Sequence, residues 1–209
     1  MHSNRHTKTA VVVVLLFGLV LFYWGTDGYT AFTAETARVK QLMEENPLFP
    51  DVTLEDSRGE TYPFSTFRDR YVFITFMYTN CKTVCLMLET NMARVYELIP
   101  EKHFEDDIVF LSISFDPDHD DPPVLDQYKD LFGSDGIRWR MARIPDQEEL
   151  NLVLESFGVI VIPDGQGNFA HNSAFYLVDR QGRLIKVMDF MDPEGASETI
   201  IDILTAEKG

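Results

Sequence analysis

Two apolar runs, Tyr71–Tyr78 (YVFITFMY) and Ile108–Phe115 (IVFLSISF), are dense in aromatic and β-branched residues and predict strands covered on both faces. Behind the first, VCLMLETNMARVYELI repeats its apolar positions at three- and four-residue intervals, which predicts a helix from about 81 to 98. Behind the second, the pattern predicts a helix over Pro122–Phe132, a short strand around Trp139 and a helix over Gln147–Phe157. Strand and helix alternate here, so part of the sheet is parallel. Upstream, 51–55 and 60–64 flank Asp56-Ser57-Arg58-Gly59 as a hairpin. The last third changes to an antiparallel pair, Ser173–Val178 and Arg183–Met191, joined by a turn at 179–182 and followed by a helix over Ala196–Thr205.

The N-terminus follows a different pattern. Residues 10–24 are apolar apart from Gly18 and the pair Tyr23 and Trp24, and Arg5 and Lys8 precede them. With Thr9, Gly25 and Thr26 the run approaches the lower limit of about 17 residues for a membrane span. The terminal aromatic pair suits a membrane interface, and the best small-residue cleavage site, Thr26-Asp27-Gly28, contains an acid. An uncleaved transmembrane anchor over 10–26 is therefore expected, with 1–9 as a cytoplasmic n-region. A polar, helix-compatible stalk over 27–46 ends at Asn46-Pro47, and a single domain fills 47–209. The positive-inside bias places that domain outside the cytoplasm. In a bacterium this means a single-pass inner-membrane protein facing the periplasm. No cysteine stands near the end of the apolar run, so a lipid-modified N-terminus is not expected.

Charge removes one class of partner. The 209-residue chain carries a formal −16, and because Arg5 and Lys8 are the only charges before Asp27, the remainder carries −18. Phosphate would be repelled over most of that surface, so nucleic acid is not an expected partner.

The only two cysteines, Cys81 and Cys85, stand four residues apart where the first strand gives way to its helix. That spacing places both thiols on one helix face near an N-terminus, where unpaired N–H groups favour thiolate. A disulfide closing so short a loop constrains the unfolded chain by only about 2 kcal/mol, so reversible redox chemistry or metal binding is the better account of the pair. Cysteines at this strand-to-helix junction, with a front hairpin and a closing antiparallel pair, match a thioredoxin-like α/β arrangement of a mixed sheet flanked by helices.

Of five histidines, His2 and His6 precede the anchor and His103 lies in the acidic turn EKHFEDD. That leaves His119 and His171 on the domain. His171 stands in the loop entering the strand SAFYLV, where a thioredoxin-like fold brings a loop against the cysteine-bearing helix; position alone does not distinguish it from an ordinary loop histidine. His119 sits among Asp116, Asp118, Asp120 and Asp121, which read as a solvated loop capping the next helix.

The segments YTNCKTVC, SISFDPDHDDPPVLDQYKDLFG, FGV and HNSAFYLVDRQGRL together resemble the Sco/SenC family of membrane-anchored, thioredoxin-like copper chaperones of cytochrome c oxidase assembly. The resemblance runs from about Pro47 to Asp202. It implies copper ligands at Cys81, Cys85 and His171, and as partner the CuA-bearing subunit of the oxidase or another periplasmic copper protein. The family usually has proline after each cysteine, whereas this chain has Lys82 and Leu86. Neither replacement removes a ligand, and the Lys82 charge beside Cys81 should favour its thiolate.

Two thiolates and an imidazole form a soft set suited to Cu(I) that also accepts Cu(II), and three ligands leave one side open for an acceptor. Met77, Met87 and Met92 could add a weak sulfur contact but fit core positions better. The expected function is copper binding and delivery. The alternatives are a thiol-disulfide oxidoreductase with Cys81 attacking and Cys85 resolving, and a redox or copper sensor. The loop 163–168, with two glycines and almost no apolar side chain, is expected to let His171 swing between open and bound positions.

Overall fold

A computed structural model describes residues 5–25, 34–81 and 84–206. Lys82, residues 1–4 of the n-region with His2, and 26–33, where the anchor ends and the stalk begins, lie outside the described residues, as does the His6 side chain. The chain divides into two compact units, one ending at Glu44 and one beginning at Glu45.

The first unit contains helix α1, Arg5–Gly25, and most of α2, Ala34–Glu45. Large apolar side chains of α1 from Val11 to Tyr23 are exposed all round the helix. Among the described residues, no helix is long and apolar enough to cross a membrane.

The second unit is built on a seven-stranded mixed sheet. The hairpin expected over 51–64 is β1, Thr53–Asp56, and β2, Thr61–Pro63. The two continuous apolar runs are β3, Tyr71–Met77, and β4, Ile108–Ser114, and every residue of both is buried. They pair in parallel, and β4 pairs in parallel with β5, Trp139–Arg143. The hairpin joins antiparallel through β1 to β5. Helix α3, Val84–Leu98, makes the crossover from β3 to β4, α4 is Pro122–Asp130 and α5 is Gln147–Ser156. The side-chain carboxylates of Asp121 and Asp146 cap α4 and α5 by accepting backbone N–H bonds.

A small separate hairpin follows, β6, Val161–Pro163, with β7, Phe169–His171. The expected final pair is β8, Phe175–Val178, and β9, Leu184–Met188, and β8 pairs antiparallel with β3. The closing helix α6 spans Pro193–Ala206, starting three residues earlier than expected because Pro193 suits a first helical turn. It packs against α3, with Arg94 paired to Glu194. The resulting strand order is β2-β1-β5-β4-β3-β8-β9. β3 is thus an interior strand, and its carboxyl end delivers the cysteines to the edge of the parallel segment, where open α/β sheets place their ligand sites.

Candidate metal site

Beyond Met77 the chain leaves β3 through Tyr78, Thr79 and Asn80. The Cys81 N–H bonds weakly to the Tyr78 carbonyl at 3.4 Å. Cys81 precedes the helix rather than sharing its face with Cys85, as the four-residue spacing had suggested, since α3 starts at Val84. Its sulfur takes the role of a capping acceptor, receiving the Cys85 backbone N–H at 3.2 Å. Cys85 lies in the first turn, points inward and is fully buried, whereas Cys81 retains 8% exposure. Both are free thiols. Burial, reinforced by Cys81 beside it, pushes the Cys85 thiol far above its ordinary value, so the helix terminus does not produce the thiolate expected there.

The third member comes from the small hairpin. His171 ends β7 instead of riding on a free loop, and its Nε2 stands 3.3 Å from the Cys85 sulfur. The Nδ1 lies 3.1 Å from the Asn172 carbonyl, which can only accept, so Nδ1 carries the proton and Nε2 presents its lone pair to the sulfur. Burial lowers the imidazole pKa, which keeps the ring neutral and fit to ligate. Among the described residues, Cys81, Cys85 and His171 form a group whose ligand atoms all lie within 4.8 Å of one another and can hold a metal ion.

Aromatic rings fix the histidine. Its ring centroid is 5.0 Å from Phe115 and 6.3 Å from Tyr78, and Phe169 packs on both of these rings. The Phe169 N–H donates to the Tyr78 hydroxyl at 3.3 Å. The 163–168 turn is also held more firmly than its composition implies. Asp164 accepts from the N–H groups of Gln166 and Asn168 and from the Asn168 amide, while Gly165 and Gly167 take φ near 74° and 86°. In this conformation the histidine stands beside the cysteines.

Other expected residues divide. His119 is a surface residue, its side chain 73% exposed and bonded to Asp116. His103 is buried against Asp107, far in sequence from the cysteines. Met77 and Met92 are core residues, but Met87 is 42% exposed and belongs to no core. The acidic loop is not uniformly solvated. Asp120 is buried and accepts from the Thr79 N–H at 3.0 Å, the Thr79 hydroxyl and the Ser114 hydroxyl.

Sequence reasoning also passed over Glu89, one turn beyond Cys85 and fully buried. Its Oε2 accepts from Ser112, its Oε1 has no hydrogen-bond partner among the described residues, and burial pushes the carboxyl up to about 8. Its spacing from Cys85 and Met92 on the inner face of α3 was the available signal.

The fold and site define a thioredoxin-like domain that presents two thiols and an imidazole at the carboxyl end of its central strand. The family model described as SCO1/SenC matches residues 40–207, and the chain belongs to that family. A SCO1 protein homolog of Bacillus subtilis is 25% identical over 199 residues, covering 94% of this chain and 97% of the relative. A SCO1/SenC family lipoprotein from Bacillus anthracis has a similar structure, with a TM-score of 0.68 and 26% identity over 77% of this chain and 95% of that one. Bradyrhizobium japonicum ScoI with copper bound superposes with a TM-score of 0.64 at 23% identity, covering 74% of this chain and 98% of that one.

Proposed function

We propose that this chain is a copper metallochaperone that holds the ion through Cys81, Cys85 and His171 and passes it to the CuA site of cytochrome c oxidase or to a related periplasmic copper enzyme. The observation that carries this reading is the His171 Nε2 lone pair aimed at the Cys85 sulfur from 3.3 Å, because disulfide exchange needs only the two cysteines whereas a metal site needs the third ligand. Two thiolates and one neutral imidazole suit Cu(I) and tolerate Cu(II). A relative of the same fold, the B. japonicum protein, has copper bound.

Loading requires both thiols to lose their protons, and the buried Cys85 gives its proton up only when the metal replaces it. Cys85 stays in the first turn of α3, with Cys81 before it, while the open side admits an acceptor's ligand. The acceptor itself follows from the family resemblance.

The N-terminal segment anchors this activity to the outer face of a bacterial inner membrane. The support is the apolar run from 10 to 24, the basic residues before it, and the all-round exposure of apolar side chains on α1.

One observation favours a second activity. Cys81 is the less buried sulfur and accepts a helix N–H, the arrangement of an attacking thiolate in a thioredoxin-like exchange, with Cys85 placed to resolve the mixed disulfide.

Anaerobic Cu(I) titration of the reduced full-length chain against a competing chelator separates the two. His171→Ala should weaken Cu(I) binding by about tenfold or more, the scale of a lost ligand contact of over about 1.4 kcal/mol. Unchanged affinity would leave thiol exchange as the function.

A further inference from the structure

A groove of about 580 Å³ opens beside the hairpin that carries His171. Phe115, Val159, Val161 and Phe169 give its lining an apolar part, beside the polar Gln147 and Asn151. Phe115 and Phe169 are the rings packed around the histidine, and Val161 is the direct cross-strand partner of His171 in the β6–β7 pair. Directly opposed residues of an antiparallel pair project to the same side, so groove and histidine share one face of the hairpin.

The rim is acidic. Asp116, Asp118 and Glu155 line the groove, and none of its lining residues is basic. The nearby positive groups are engaged elsewhere: Arg143 pairs with Glu55 and donates to the Pro117 carbonyl, and His119 is bonded to Asp116. Asp118 and Glu155 face solvent.

We infer that this groove docks a basic, extended segment of the protein that receives the copper, with an apolar side chain on the apolar part of the lining and lysine or arginine side chains against the rim. This rests on the copper reading above. The recipient is favoured over the supplier by which ligand the groove adjoins. His171 stands on a two-stranded hairpin and is only partly buried, whereas both cysteines are buried, so it is the ligand an incoming partner reaches and displaces first. A partner seated against its strand is placed to take up the position it vacates. The long-range field of a chain at −16 would steer such a partner, and the rim carboxylates would fix its register.

The test uses the full-length chain in detergent micelles, loaded with Cu(I), and the CuA-bearing domain of the oxidase as recipient. Second-order transfer rates are measured from about 10 mM to 500 mM salt for wild type and for the double variant D118K/E155K, and Cu(I) affinity is measured by chelator competition. Both side chains are exposed and neither touches the sulfur or imidazole ligands, so the fold and Cu(I) affinity should be retained. At low salt the variant should transfer about tenfold more slowly, and the two rates should converge as salt screens the rim.

Normal Cu(I) binding with transfer rates indifferent to charge reversal, or no transfer to the domain, would overturn the docking inference alone. Occupation of the groove by a second copy of the chain, seen as dimerisation that the double variant abolishes, would do the same. A wild type that takes up no Cu(I) in the chelator measurement would overturn the copper reading, and the inference with it.

Discussion

Asp120 accepts the backbone N–H of Thr79, two residues before Cys81, and so binds the end of β3 to a loop that also receives the Ser114 hydroxyl from the end of β4. One buried carboxylate thereby sets where the cysteine-bearing turn begins. Asp120→Asn keeps one acceptor oxygen but turns an N–H₂ toward the donors on the other, so part of this set is lost. The variant should lose about 1–3 kcal/mol of stability in urea denaturation, the cost of leaving buried donors unpaired. It should also bind Cu(I) more weakly. Asp121→Ala, which only removes the cap of α4, should cost about 1 kcal/mol and leave Cu(I) affinity alone.

Glu89 makes stability depend on pH. Its carboxyl is raised from 4.5 to about 8 by burial, so the native state holds a proton that the unfolded chain has released throughout that interval. The stabilisation is complete below the unfolded value and is lost as pH rises toward 8. Glu89→Gln keeps the shape without the titration. Thermal midpoints of wild type and variant should nearly coincide at pH 5, and the variant should be more stable at pH 8 by a few kcal/mol. Parallel curves over that range would show that Glu89 does not titrate there.

The two thiols should differ in reactivity. Cys85 is fully enclosed and its thiol is held protonated, while Cys81 is slightly exposed with its sulfur at the helix start. With iodoacetamide at pH 8, the single-thiol variant Cys85→Ser should be alkylated at least about tenfold faster than Cys81→Ser. Equal rates would contradict the burial difference.

Metal binding should need the reduced protein, because a disulfide offers no thiolate. A sample in which a thiol assay detects no free cysteine should take up no Cu(I), and dithiothreitol should restore one equivalent. Stoichiometric binding by the oxidised sample would point to ligands other than the two sulfurs.

Much of this was legible along the chain because the two central strands are buried on both faces and therefore read as unbroken apolar runs. The cysteines were equally visible at the strand-to-helix junction. His171 needed the family resemblance, since nothing local marks a histidine in a short strand as facing a helix more than eighty residues earlier. The β6–β7 hairpin was hidden because Val161–Pro163 and Phe169–His171 are only three residues each, and their order comes from the Tyr78 and Phe115 rings beneath them. Asp120 looked like its exposed neighbours Asp118 and Asp121 because its burial depends on Thr79 and Ser114, which no periodicity connects to it. Met87 followed helical spacing on its residue type alone, yet it falls on the outer face of α3.

The cysteines and the histidine stand on elements of unequal cooperativity. Cys81 and Cys85 follow an interior strand paired on both sides in a seven-stranded sheet, whereas a two-stranded ribbon such as β6–β7 is at best marginally stable in water on its own. Subglobal opening can therefore dismantle one third of the metal site while the rest of the domain stays folded. Substitutions in the ribbon, Gly167→Ala for instance, should tune how long the ion is retained and leave the melting temperature nearly untouched. Residence time and global stability are then separable quantities in this chain, free to drift independently under selection.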